Sequence, residues 1–141
     1  MARNRKTEQL REVPLFSACT DKELAQIARA CDEMTVDADV LVVEEGAKGQ
    51  EFFLIVAGEA SVSRGGRRVA SLGSGQYFGE LSLLDDAPRN ATVTAKTPLT
   101  LLRLGHREFA AVLDSWPGVA HKLLKQMARR LRLADEHSVT N

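Results

Sequence analysis

The sequence predicts a mainly β protein with flanking helices: a jelly-roll β-barrel with an N-terminal helix and two C-terminal helices. Two observations carry this. Between about residues 34 and 104, short β-branched or aromatic runs alternate with glycines at 46, 49, 58, 65, 66, 73 and 75, the texture of many short strands joined by turns. On either side of that stretch, apolar residues recur at helical spacing instead. A chain of 141 residues can bury one real core and is short for two. The expected organisation is therefore a polar leader over 1–12, one domain over 13–136 with its barrel at about 34–104 and its C-terminal helices at about 106–136, and a tail over 137–141.

The leader, MARNRKTEQLRE, is polar, with room for a helical turn near Leu10. It has no apolar signal core, which points to a cytoplasmic chain. In PLFSACTDKELAQIARAC, Thr20 and Glu23 fit a capping box: the Thr oxygen takes an orphan amide while the Glu carboxylate reaches back to the cap amide. Leu24, Ile27, Ala28 and Cys31 follow at helical spacing, predicting a helix over about 21–32. The runs VLVV (40–43), FFLIV (52–56), ASVS (60–63) and RVASL (68–72) read as strands. Gly65-Gly66 between Val62 and Val69 fits a tight hairpin turn, because both positions can take positive φ. ATVTAKT (91–97) and LTLLRL (99–104) add two strands around Pro98. HREFAAVLDSW predicts a helix over about 106–114, and Pro117 suits the first turn of another. In that last helix Ala120, Leu124, Met127, Leu131 and Ala134 form a narrow seam of period 3.5, suited to pairing as a homodimer or to packing on the barrel. Lys122, Lys125, Arg129 and Arg132 run along another face, a solvated stripe or a partner surface.

Composition narrows the function classes. Nineteen basic and nineteen acidic side chains cancel, so no global field draws the chain to nucleic acid or anionic lipid. No stretch approaches the roughly 20 apolar residues of a membrane span. Cys19 and Cys31 have neither CxxC spacing nor a histidine cluster beside them, and read as reduced, small apolar residues. GSGQYFG (73–79) lacks the Lys-Ser/Thr ending of a triphosphate loop and falls among strands. His106, His121 and His137 lie outside the barrel, which leaves it without metal ligands of the usual kind and without a base for its serines. Asp85-Asp86 before Ala-Pro reads as a turn. No catalytic set, metal site or catalytic cofactor is expected, and the chain is not expected to be an enzyme.

One segment stands out, GELSLLDDAPRNATV over 79–93, where charged residues interrupt an apolar run. A short helical turn over Leu81–Leu84 after Gly79 would leave its leading amides pointing outward, an anion site made of backbone. Arg89, set by the rigid Ala87-Pro88 lead-in, can place a guanidinium on the same anion with paired hydrogen bonds. Glu80, acceptor-only when ionised, can hold a hydroxyl or diol beside it. An anion and a hydroxyl held together describe a sugar phosphate. The alternative from spacing alone is that Glu80 and Arg89 pair with each other and tie down a loop.

GQYFGELSLLDDAPRNATVTAKT resembles the phosphate-binding cassette of the cyclic nucleotide-binding domain family: Phe78-Gly79-Glu80, the apolar Leu81 to Leu84, then Pro88-Arg89-Asn90-Ala91-Thr92-Val93. EEGAKGQEFFLIVAGEASV (44–62) resembles the family's paired strands, PLFSACTDKELAQIA its entry helix, and the two C-terminal helices its hinge and lid. The likeness covers about residues 13–136. It implies that Glu80 accepts from a ribose 2′-hydroxyl and that Arg89 pairs with the cyclic phosphate. The amides around Gly79, Leu81, Ser82, Asn90 and Ala91 would assist. Asn90 departs from the Ala or Ser common in cAMP-binding members and the Thr common in cGMP-selective ones. QMARRLRLADEH (126–137) resembles the long helix of members of the catabolite activator type. Arg130 matches an arginine near the base there, while Ala134-Asp135 replace a Thr-Ser pair that reads adenine. The expectation is a stand-alone sensor of a cyclic nucleotide, cAMP ahead of cGMP, coupled to movement of the C-terminal helix and to an unknown effector protein. No DNA-binding motif occurs within the chain. The alternatives are a degenerate fold acting as a protein-interaction module, or the regulatory part of a larger transcription regulator or enzyme.

Overall fold

The computed structural model describes the backbone over residues 2–140 and the side chains over 5–135. Two compact units are present, one made of residues 1–28 with 110–141 and one of residues 29–109.

The second unit is built from eight strands: β1 (Asp32–Val36), β2 (Leu41–Val43), β3 (Glu51–Ala57), β4 (Ala60–Arg64), β5 (Arg67–Leu72), β6 (Tyr77–Phe78), β7 (Thr92–Ala95) and β8 (Leu99–Gly105). They form two four-stranded sheets, ordered β1-β8-β3-β6 and β2-β7-β4-β5, with every pairing antiparallel. The sheets do not close on each other, so the expected jelly roll takes the form of a sandwich rather than a continuous barrel. Phe53, Ile55, Ala60, Val93, Ala95, Leu99 and Leu101 fill the space between them. The Gly65-Gly66 turn has positive φ at both residues, 59° and 80°, as a tight β4–β5 hairpin requires. Two strands escaped the sequence reading. β1 carries a polar pattern, and β6 is two residues long.

The first unit holds α1 (Ala2–Arg11), a 3-10 turn (Pro14–Phe16), α2 (Asp21–Ala30), most of α3 (His106–Ser115), and α4 (Pro117–Thr140). The residues read as a polar leader are a helix: α1 buries Leu10 completely, and Arg11 pairs with Asp21 at the start of α2. One buried leucine in a polar run leaves too little periodicity to detect. The capping box forms as expected, with Thr20 N donating to Glu23 Oε1 at 2.8 Å and Glu23 N to Thr20 Oγ1 at 3.2 Å. Glu23 also accepts from Lys122 of α4, so an element of the basic stripe is partnered. On α4 the buried residues are Val119 and Leu123, whereas Leu124 and Leu131 of the period-3.5 seam are 69% and 65% exposed. Ala120 and Met127 of the seam are half-buried, so its leucines face solvent while the stripe about 100° round the helix is the buried one.

Candidate functional site

β6 pairs with β3 through Phe53–Phe78 and Leu54–Tyr77, and that pairing delivers the chain to Gly79. Gly79 adopts φ 82°, a left-handed conformation, and turns the backbone into a 3-10 turn over Glu80–Leu83. Ser82 N closes on Gly79 O at 3.0 Å, and Ser82 and Leu83 are buried while Leu81 and Leu84 are exposed. At the far end, His106 Nδ1 lies 3.3 Å from Leu83 O, tying the start of α3 to the turn.

The loop that follows is held from two sides. Asp85 Oδ1 accepts from Ala87 N at 3.2 Å, the turn expected of the acidic pair, and Asp86 Oδ1 accepts from Gln50 Nε2 at 2.7 Å. The backbone of Arg89 is clamped by its N donating to Ala47 O at 2.9 Å and its O accepting from Gly46 N at 2.8 Å. Its side chain is 8% exposed. Nη1 donates to Ser82 Oγ at 3.1 Å and Nη2 to Glu51 O at 2.9 Å. Glycines make room for it on two sides: a Cβ on Gly49 would stand 2.5 Å from Nε, and one on Gly79 would stand 2.5 Å from Nη1.

Neither of these two hydrogen-bond partners of the Arg89 guanidinium is an ionised group. Burial pulls the guanidinium's pKa down and the neighbouring Glu51 carboxylate offsets part of this, but an arginine stays charged at any working pH. Charge taken out of water without a counter-ion costs several kcal/mol.

A cleft of about 460 Å³ opens beside it. Gly79, Glu80, Leu81, Ser82, Arg89, Asn90 and Ala91 all line it, so seven candidate residues come together. An apolar wall that includes Val43, Val62, Val69, Leu72, Phe78 and Val93 completes the lining. The lining thus combines arginine, carboxylate and apolar side chains, a mix that suits a ligand with both polar and apolar parts. Arg130, Ala134 and Asp135 lie on α4 and are not among the lining residues; Ala134 and Asp135 are exposed. Among the described residues no cluster of His, Cys, Asp and Glu could hold a metal ion.

Sequence reasoning missed three parts of the site. Gly49 and Glu51 are distant in sequence from the cassette they support, and although 44–62 reads as paired strands with glycine turns, nothing there ties them to Arg89. Arg64 also lines the cleft and donates from Nε to Asn90 O at 2.9 Å. Its signal was available, since it stands two residues after Val62 in a strand and so shares its face.

The family model described as the cyclic nucleotide-binding domain matches residues 33–115. A cAMP-dependent protein kinase regulatory subunit from Yarrowia lipolytica is 42% identical over 106 residues, 74% of this chain and 28% of that protein. The chain thus spans about a quarter of the length of the curated relatives it matches. Among solved structures, the N-terminal domain of a transcriptional regulator from Streptomyces coelicolor A3(2) superposes with a TM-score of 0.86 at 34% identity, covering 91% of this chain and 95% of that one. The regulatory domain of Toxoplasma gondii PKA, co-crystallised with cAMP, gives a TM-score of 0.73 at 33% identity, covering 79% and 44%.

Proposed function

The chain belongs to the cyclic nucleotide-binding domain family, and from that premise we propose that it is a sensor of a cyclic nucleotide, cAMP ahead of cGMP, held in the cleft beside Arg89. The observation that carries this reading is the buried guanidinium whose bonds go only to neutral oxygens. A cyclic phosphodiester supplies the single negative charge that the slot lacks. Its two exocyclic oxygens take the Arg89 fork, and the amides of Leu81 and Ala91 add donors from the backbone. Glu80 accepts from the ribose 2′-hydroxyl, a role its carboxylate fills and an anion-holding role it cannot. The purine lies on the apolar wall of Val62, Val69 and Leu72, where burial stabilises it without specifying which purine it is.

The preference for cAMP follows the relatives named for it, on the protein kinase and PKA side. The response is a population shift in which α4 closes over the base, bringing Arg130, Ala134 and Asp135 to its edge. The His106 contact to Leu83 O links the cassette to the helix that leads into α4. The output passes to an effector protein.

Calorimetric titration with cAMP and cGMP, after stripping nucleotide by unfolding and refolding, tests the reading. Saturable one-to-one binding of cAMP, tighter than cGMP, is expected. Folded, empty protein that takes up neither would refute it and leave the cassette as scaffold.

A further inference from the structure

We propose that Arg64 is a second, outer contact for the ligand's phosphate, acting beside Arg89 and blind to the base; the inference rests on the ligand reading above. Arg64 ends β4, and both it and Val62 line the cleft. The two sit at different depths along it. In the β4–β7 ladder Val62 stands opposite Val93 and Ser63 opposite Thr92. One step further sets Arg64 level with Ala91, at the cassette end of the cleft and beyond the apolar wall. The Nε bond to Asn90 O fixes it there at 2.9 Å. That bond spends one of the five guanidinium N–H groups and directs the remaining fork alongside the Asn90–Ala91 peptide.

Arginines crowd this corner, although Glu80 and Asp85 also line the cleft. Arg64 stands directly opposite Arg67 across the hairpin, with Arg68 next along the strand. Like charges facing each other across a ladder are destabilising. Glu45 is the acid at the hairpin tip, and its Oε1 accepts from Gly65 N at 2.9 Å. Among the described residues Arg64 forms no ion pair. An anion seated on Arg89 would meet the field of Arg64 from the solvent side. Because Arg64 is exposed and Arg89 is buried, its contribution is screened by water and by salt, and a flexible point charge in its place would serve almost as well.

The test uses the full chain, stripped of nucleotide, as wild type, Arg64→Ala and Arg64→Lys. Each is titrated with cAMP and with cGMP at low and high salt, with thermal melts alongside. Arg64→Ala should weaken both nucleotides by the same factor, about two- to fivefold at low salt and less at high salt. It should also lower the salt dependence of Kd, and Arg64→Lys should recover most of the loss. Unchanged binding by Arg64→Ala overturns the inference. So does a loss confined to one nucleotide, which would put Arg64 on the base. A salt-independent loss that lysine does not recover also overturns it, by reducing Arg64 to a support for the Asn90 peptide. Wild-type protein that binds neither nucleotide would refute the ligand reading and this inference together. Binding by wild type with no effect of Arg64→Ala refutes the inference alone.

Discussion

Gly49→Ala should disable the anion slot without touching a charged residue. Gly49 does not need positive φ, so alanine costs its backbone nothing. The obstacle is the Arg89 side chain: a Cβ would lie 2.5 Å from Nε, 2.7 Å from Nη2 and 2.9 Å from Cζ, well inside contact distance for the whole head group. The guanidinium cannot simply slide away, because Nη1 and Nη2 are held by Ser82 Oγ and Glu51 O, and Gly79 closes the other side. Moving it breaks the alignment with the phosphate. A misplaced charge-assisted hydrogen bond is worth about 1.5–3 kcal/mol, or roughly ten- to hundredfold in Kd for cAMP. Calorimetry on Gly49→Ala, Arg89→Ala and the double variant measures it, with circular dichroism melts to show that each folds. The double variant should bind no more weakly than Arg89→Ala, because both changes remove one interaction. Wild-type affinity in Gly49→Ala, or losses that simply multiply in the double variant, would refute the steric reasoning.

Three further outcomes follow from the same geometry. Arg89→Lys keeps the charge but loses the fork and the span to both Ser82 and Glu51, so cAMP affinity should fall at least about tenfold, by calorimetry. Glu23 is 7% exposed; burial pushes its carboxyl up, but the bonds from Lys122 and Thr20 outweigh that and hold it below its ordinary value. A depressed folded pKa contributes stability above the usual carboxylate range and loses it as pH falls through the folded value. Urea unfolding across pH should therefore find Glu23→Gln about 1–2 kcal/mol less stable at neutral pH, with the gap narrowing below about pH 4. Burial first, and the nearby Glu23 charge second, push the Cys19 thiol up to about 11. Since the thiolate is the nucleophile, iodoacetamide at pH 8 should leave Cys19 unmodified in folded protein and label it on unfolding, as read by peptide mass.

The parts legible in the sequence were the contiguous ones. Gly79 through Ala91 place a turn, an acceptor, a rigid lead-in and an arginine within one short segment, so their types and spacing spoke without a fold. The Thr20–Glu23 box and the Gly65-Gly66 turn are equally local, and both form. What the sequence concealed depends on pairing. Gly49 and Glu51 become half of the arginine slot only because the loop before β3 clips onto the backbone of Arg89 through Gly46 and Ala47. Arg64 joins the cleft only through the register of β4 on β7. The α4 seam misled for a different reason: two apolar stripes share that helix, and the leucines of the longer, more regular one, Leu124 and Leu131, are exposed while Val119 and Leu123 are buried. α1 was hidden because a single buried leucine cannot produce a period.

The central claim is that a cyclic phosphate is the missing counter-ion of Arg89. The most direct measurement is a nitrogen–proton NMR spectrum of arginine-labelled protein during titration with cAMP, with the Arg89 Nε–H signal assigned by its loss in Arg89→Lys. The account predicts that this resonance shifts on saturation and that its proton exchanges more slowly with solvent. A saturated complex in which the Arg89 signal stays where it was, while other resonances move, would contradict it.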